Sequence, residues 1–314
     1  MANPTGRAAG ALWLLCTLVA APAVAAPAAG TVCRLSSPVA LDLRWIPAGE
    51  FTMGDRAGVG QADERPLRTV ALNGFWLMAT EVSVGLFSAY AKARDVAIAP
   101  GCGVFQAGWT MDTALDWRNP GFAQGPRHPV TCVSWQDAVA FAEFLSDVTG
   151  QTFFLPSESQ WEYAARAGSG TRFAHGDNVA PLCRHANGAD QQALRDYPGF
   201  SVNQCDDGFV RTAPVGSFAA NAWGLADMTG NVWEWVADCW HTDYAAAPSD
   251  GSAFETAGCS RRGFRGGAYG DVPFFLRIAL RNRGAADARK DDVGFRLAAR
   301  LAPGWAAAHC SAMP

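Results

Sequence analysis

The stretch Asp227-Met228-Thr229-Gly230-Asn231-Val232-Trp233-Glu234 places two carboxylates within eight positions of a loop-forming run. A hard cation such as Ca²⁺ takes about 6–8 oxygens in flexible geometry, and carboxylates plus the backbone carbonyls of an irregular loop supply that donor type. The same acids have a simpler use, because Asp and Asn cap turns by accepting bonds from backbone N–H groups. A zinc site is disfavoured: the chain has no C-x-x-C, and His128, His175, His185, His241 and His309 are scattered.

The cysteines are read with the N-terminus. Arg7 precedes an apolar stretch from Ala8 to Ala21, then Pro22 and Ala23-Val24-Ala25-Ala26. A positive start, a short apolar core and an A-x-A site read as a secretory signal over residues 1–25, cleaved after Ala25. The proline-broken apolar core argues against an N-terminal membrane anchor. Cys16 follows Leu14-Leu15, where a lipobox wants a small residue. The cysteines outside the signal are Cys33, Cys102, Cys132, Cys183, Cys205, Cys239, Cys259 and Cys310. An even number in an exported chain favours disulfides, in a periplasmic or secreted protein. Their connectivity is not fixed by sequence; the pairs expected first are Cys33 with Cys310, tying the tails, and Cys183 with Cys205, closing one loop.

The elements that must hold these groups are short. The 314 residues, 49% hydrophobic and 17% charged, exclude a disordered chain and a coiled coil. A net charge of −4 gives no broad basic face for nucleic acid, and no apolar run beyond the leader is long enough to span a membrane. Thirty-three Gly, 18 Pro and 12 Trp point to a loop-rich globule pinned by aromatic anchors. Residues 43–47 and 49–54 read as two short strands or a strand and a turn, and 69–72 as another strand. Ser83 caps a helix carrying Leu86, Phe87 and Tyr90, Ser134 opens one that stops at Gly150, and Ser157 with Gln160 forms a capping box for a third ending near Gly168. Residues 100–130 read as a long packed loop, and the chain from about Gly168 to about 300 as mostly turns with brief strands. The economical division is a flexible segment over 26–40, one domain over 41–300 and a tail over 301–314.

Several motifs in order resemble the formylglycine-generating-enzyme, or sulfatase-modifying-factor, family. They include Ile46-Pro47-Ala48-Gly49-Glu50-Phe51-Thr52-Met53-Gly54, Glu64-Arg65-Pro66, Glu81-Val82-Ser83 and His128-Pro129-Val130-Thr131. Leu155-Pro156-Ser157-Glu158-Ser159-Gln160-Trp161-Glu162-Tyr163, the Asp227–Glu234 stretch, Arg265-Gly266-Gly267 and Gly294-Phe295-Arg296 follow. The resemblance implies a single irregular α+β domain, C-type-lectin-like and poor in regular secondary structure. It also implies two structural Ca²⁺ sites. One uses the side chains of Asp227 and Glu234 with the carbonyls of Gly230 and Val232. The other uses the side chains of Asn187 and Asp207 with the carbonyls of Gly188 and Phe209.

The resemblance breaks at the catalytic centre. Family members that make formylglycine carry two cysteines after Arg-Gly-Gly, whose soft thiolates hold Cu(I). Here Asp271 and Leu276 stand at those positions, and Ala268 replaces a nearby serine. Cu(I) and formylglycine formation are therefore not expected, and no redox metal is assigned. The family cleft would be lined by Trp233, Arg265, Tyr269, Asp271, Arg277, Arg281 and Arg296. In it Asp271 is the candidate general base or the group that binds a cationic part of the substrate, with Arg281 as a second catalytic candidate. Trp233, Tyr269, Arg265 and Arg277 are the candidate substrate contacts. The competing use of Asp271 is a loop-holding pair with Arg277 or Arg281.

Two functions follow. One is an exported oxidoreductase of the cysteine-less branch typified by the pyoverdine-maturation oxidase, tailoring a peptide-derived small molecule such as a siderophore precursor. The other is a non-catalytic calcium-braced scaffold for a peptide, glycan or partner protein.

Overall fold

A computed structural model describes residues 1–2, 26–35, 40–105, 108–195, 198–199 and 202–310. The expected leader, with Cys16, lies outside the described residues apart from its first two positions. Along the chain the strands and helices are β1 (Val32–Leu35), β2 (Leu41–Ile46), β3 (Gly49–Met53), β4 (Arg68–Leu72), β5 (Phe75–Met78) and α1 (Val84–Arg94). They continue with β6 (Cys102–Phe105), β7 (Trp109–Asp112), α2 (Trp135–Thr149), β8 (Thr152–Phe154) and α3 (Glu158–Arg166). The remainder are β9 (Trp233–Cys239), β10 (Arg261–Arg265), β11 (Arg281–Ala285), β12 (Val293–Gly294), β13 (Ala298–Arg300) and α4 (Pro303–His309). One sheet has the order β1-β2-β5-β13-β8 and another β11-β10-β9-β12; β3-β4 and β6-β7 are separate hairpins. The architecture is the expected α+β domain.

Helices α1, α2 and α3 start where their caps dictate. Ser83 Oγ accepts from Leu86 N, and Ser134 and Ser157 form reciprocal capping boxes with Asp137 and Gln160. α2 ends on Gly150 in the left-handed region, the usual role of a terminal glycine. Its apolar face sets Phe141 against Phe87 and Phe295, with ring centroids 5.8 and 5.5 Å away.

Three segments depart from expectation. Residues 26–40 contain β1, which pairs antiparallel with β2, and residues 301–314 contain α4. Cys33–Cys310 joins the two, so neither is a loose tail over its described part. Residues 100–130 contain the β6–β7 hairpin, whose four-residue strands are too short to show a periodicity. The disulfides are Cys33–Cys310 and Cys183–Cys205, both expected, together with Cys102–Cys132 and Cys239–Cys259.

The loops between these elements are locked by buried Arg–Glu pairs that join one motif to another. Glu64 takes the Arg277 guanidinium through two bonds of 2.7 Å. Glu158 pairs with Arg281 at 2.9 Å, Glu162 with Arg265 at 2.5 Å and Arg166 at 2.7 Å, and Glu234 with Arg296 at 2.7 Å. Forked guanidinium–carboxylate bonds fix direction as well as distance, which suits a core with little regular secondary structure. Close backbone approach adds a second constraint. A Cβ on Gly230, at φ +78°, would lie 2.0 Å from the Asn187 carbonyl oxygen, so only glycine lets these two loops meet.

Candidate active-site cleft and cation sites

β9 and β10 put Trp233 and Phe264 side by side, their rings edge-to-face with centroids 5.4 Å apart. The irregular turn after β10 then carries Tyr269 and Asp271 over them. Tyr269 N donates to the Asn231 carbonyl, and Asp271 N to that of Ala268. Opposite, the segment entering β12 supplies Lys290, Asp291 and Asp292, held by the Trp233 N bond to the Asp292 carbonyl. The β6–β7 hairpin overhangs the space with Phe105 and Trp109. These residues enclose a cavity of about 480 Å³ that opens to solvent.

Three carboxyl groups line this cavity. Asp271 accepts from Ala268 N at 2.9 Å and from the Trp233 side chain, yet burial outweighs these bonds and Lys290, pushing its pKa up to about 6. Burial also raises Asp291 to about 6, against the Tyr269 hydroxyl, which donates to it at 3.1 Å, and the Arg211 charge. Asp292 is pushed well above the carboxylate range by burial and by the charges of Asp291 and Asp271. Burial and the charges of Asp291 and Asp292 push the Tyr269 phenol up. At neutral pH the cavity thus holds a carboxylate poised to take a proton, beside an acid that resists ionisation.

Of the expected cleft residues, Trp233, Tyr269 and Asp271 come together and the arginines do not. Arg265 is fully buried, giving its guanidinium to Glu162, the Tyr244 hydroxyl and the carbonyls of Ala279 and Ile278. Arg277 is taken by Glu64, Arg281 by Glu158 and the carbonyls of Asp63 and His241, and Arg296 by Glu234 and the carbonyls of Met78, Ala79, Ala226 and Asp227. A guanidinium in a buried fork has no free edge for a substrate. The sequence hint lay in the equal supply of motif glutamates: Glu64, Glu158, Glu162 and Glu234, two of them from one motif, each take one of these arginines. The Asp271 carboxylate pairs with neither Arg277 nor Arg281. Sequence reading missed Lys290, Asp291, Asp292 and Trp109; Lys-Asp-Asp just before Gly-Phe-Arg reads as an exposed charged turn.

Asp271 and Leu276 carry no sulfur at the positions where the family resemblance implies thiolates. Leu276 packs into a small apolar cluster with Phe173, Leu182 and Ala186, and all eight described cysteines are in disulfides. These residues offer a soft metal no thiolate.

The cation sites have suitable oxygens with one exception. Asn187 Oδ1 and Asp227 Oδ1 are both buried with no hydrogen-bond partner, an expensive state that a bound cation would relieve. Asp207 accepts from Gly188 N and Phe209 N, and burial pushes its pKa up to about 7. Gly230 and Val232 flank Asn231 in the buried turn. Glu234, however, is fully engaged by Arg296 and the Trp161 indole N–H. Buried Glu81, a motif residue not assigned a role from sequence, faces Asp227 instead, and its Oε2 has no partner.

The chain matches the model of the sulfatase-modifying factor enzyme 1-like domain over residues 36–301. It is 35% identical to a formylglycine-generating enzyme of Streptomyces coelicolor, covering 81% of this chain and 87% of that one. It is 32% identical to the mouse formylglycine-generating enzyme, over 82% and 75%. Among solved structures, PvdO from Pseudomonas aeruginosa superposes with a TM-score of 0.75 at 36% identity, covering 88% of this chain and all of that one.

Proposed function

The chain belongs to the sulfatase-modifying-factor family, and from that premise we propose an exported member that oxidatively tailors a peptide-derived small molecule, such as a siderophore precursor. The observation that carries this reading is the cleft. A partly buried carboxyl with a pKa near 6 stands between aromatic walls, at the position where the family resemblance implies a copper-binding thiol. The likeness to PvdO across the whole of that protein supports it. Four disulfides suit an oxidising compartment, and no helix among the described residues is long and apolar enough to cross a membrane; both agree with a periplasmic or secreted protein.

In this reading Asp271 takes a proton from an O–H or N–H of the bound substrate. The substrate loses two hydrogens in all, and its two electrons and two protons reduce dioxygen to hydrogen peroxide. No step runs through Cu(I), for which the donors do not fit. Two Ca²⁺ ions brace the loops, one at Asn187, Gly188, Asp207 and Phe209. The other lies at Asp227, Gly230 and Val232, with Glu81 rather than Glu234 as the available carboxylate.

The test is incubation of the purified protein with phenol-bearing peptide siderophore precursors. Dioxygen uptake and loss of two hydrogen masses are followed for wild type and Asp271→Asn. Turnover that Asp271→Asn abolishes without unfolding supports the reading. Turnover unaffected by Asp271→Asn contradicts it, and a protein that binds but never turns over is the scaffold.

A further inference from the structure

Lys290, Asp291 and Asp292 stand on a segment outside any long strand, so their place in the cleft depends on what grips it. β6 grips one edge: Gly103 N donates to the Arg289 carbonyl at 2.8 Å, and Asp291 N to the Gly103 carbonyl at 3.0 Å. In this parallel bridge the Lys290 carbonyl points away from β6, and there it accepts from Cys132 N at 2.9 Å. Cys132 holds φ at +55°, a left-handed backbone that a side chain adopts only where its surroundings impose it. Cys102, the neighbour of Gly103, is bonded to Cys132, so a single disulfide ties the two flanks together. The hairpin to which β6 belongs joins neither large sheet, whereas Trp233 and Phe264 stand on β9 and β10 within one. The bond therefore secures one wall of the cleft and leaves the other to the sheet.

We infer that forming the Cys102–Cys132 bond is the maturation step that completes the cleft. Until it forms, the 289–292 wall is not held in place and its acids lack their buried setting. With the bond made, Lys290 Nζ lies 4.0 Å from the Trp109 ring centroid and the Tyr269 hydroxyl reaches Asp291 at 3.1 Å. The step is a thiol–disulfide exchange with an oxidised dithiol partner. One cysteine thiolate attacks the partner's disulfide, the second displaces the partner from the mixed disulfide, and the partner leaves as two thiols carrying the two hydrogens. Both cysteines are fully buried in the finished fold, so the bond is made before the wall closes and is then out of reach of a thiol reductant. Competence of the cleft is thereby tied to passage through an oxidising environment. This inference rests on the reading of the cleft as the reaction site, but it concerns how the site is completed rather than what it turns over.

The experiment compares wild type with Cys102→Ser/Cys132→Ser, using Cys239→Ser/Cys259→Ser as the control that opens a disulfide elsewhere. Amide hydrogen exchange of residues 289–293 is expected to quicken about tenfold or more in the first variant and to stay at the wild-type rate in the control. Carboxyl NMR supplies a readout that a general loss of stability does not move. Burial holds Asp291 at about 6 against the Tyr269 hydroxyl, Arg211 and Lys290, with Asp292 beside it. Opening the wall should lower that value by about one unit or more, and the control should not. Neither readout needs a substrate. Where turnover is measured, kcat/KM falls about tenfold or more in the first variant alone. Unchanged exchange and titration in Cys102→Ser/Cys132→Ser overturn the inference, as do equal changes in the control. Should that variant not fold, Cys102→Ala/Cys132→Val refills the buried space; failure of both to fold makes the bond a global brace and overturns the inference as well. A wall that responds as stated in a protein that oxidises nothing removes the functional reading and leaves this one standing.

Discussion

Replacing Asp271 by Asn separates a catalytic carboxylate from a structural one through the sign of its effect on stability. The carboxyl has a folded pKa of about 6 against an ordinary 3.8, raised mainly by burial. A raised carboxyl pKa means that the folded state holds its proton longer, so stability falls as pH rises from about 4 to 6 and stays lower above. At about 1.36 kcal/mol per pKa unit, the difference of roughly 2.2 units sets an upper bound of about 3 kcal/mol. Asp271 is only partly buried, and solvent screening brings this to about 1–2 kcal/mol. Asparagine keeps an oxygen for Ala268 N and never ionises. Asp271→Asn should therefore raise Tm at pH 7.5 by about 2–8 °C, leave it nearly unchanged at pH 4, and abolish turnover. Thermal melts at both pH values, read with oxygen uptake, decide the matter. A variant less stable than wild type at pH 7.5 would show that the carboxylate holds the loop, and the assignment of Asp271 as a base would fall.

Three further outcomes follow from the buried pairs, the cation sites and the disulfides. Glu162→Gln leaves Arg265 fully buried without its counter-charge and should cost about 3–5 kcal/mol by denaturant titration. Burial opposes ionisation of Glu162, but Arg166 and Arg265 overcome it and hold its pKa below the usual 4.5. Its contribution is thus present above that value and lost as pH falls through the depressed one, where wild type and variant should converge; persistence of the gap in acid would contradict the pairing. Asp227→Asn should abolish the drop in Tm that a calcium chelator causes in wild type, and an unchanged chelator response would remove Asp227 from the cation site. Cys310→Ser opens a loop of 277 residues and should lower stability by about 3–5 kcal/mol, whereas a loss below about 1 kcal/mol would mean the two ends dock without the bond.

The helix starts were legible because Ser83, Ser134 and Ser157 act through local geometry: a cap needs only its own side chain and the next turn. The Cys33–Cys310 and Cys183–Cys205 bonds were anticipated, while Cys102–Cys132 depends on how a loop folds back on the sheet. The arginines illustrate the opposite case. Arg265, Arg277, Arg281 and Arg296 sit in or near motifs around the cleft, but each partner glutamate is 60 to 220 positions away, and only the fold decides which side a guanidinium faces. Asp271 was found because it replaces a residue type with distinct chemistry. Asp291 and Asp292 were missed because acids beside a lysine resemble a solvated turn until β12 pairs with β9 and draws them against Trp233.

The central claim is that the cleft works with carboxyl groups and aromatic rings rather than with thiolates and a soft metal. Thiol titration of the purified mature protein under denaturing conditions, together with elemental analysis of the native protein, tests it most directly. The account predicts no free thiol, calcium bound and no stoichiometric copper. Two free thiols with one equivalent of copper would contradict it.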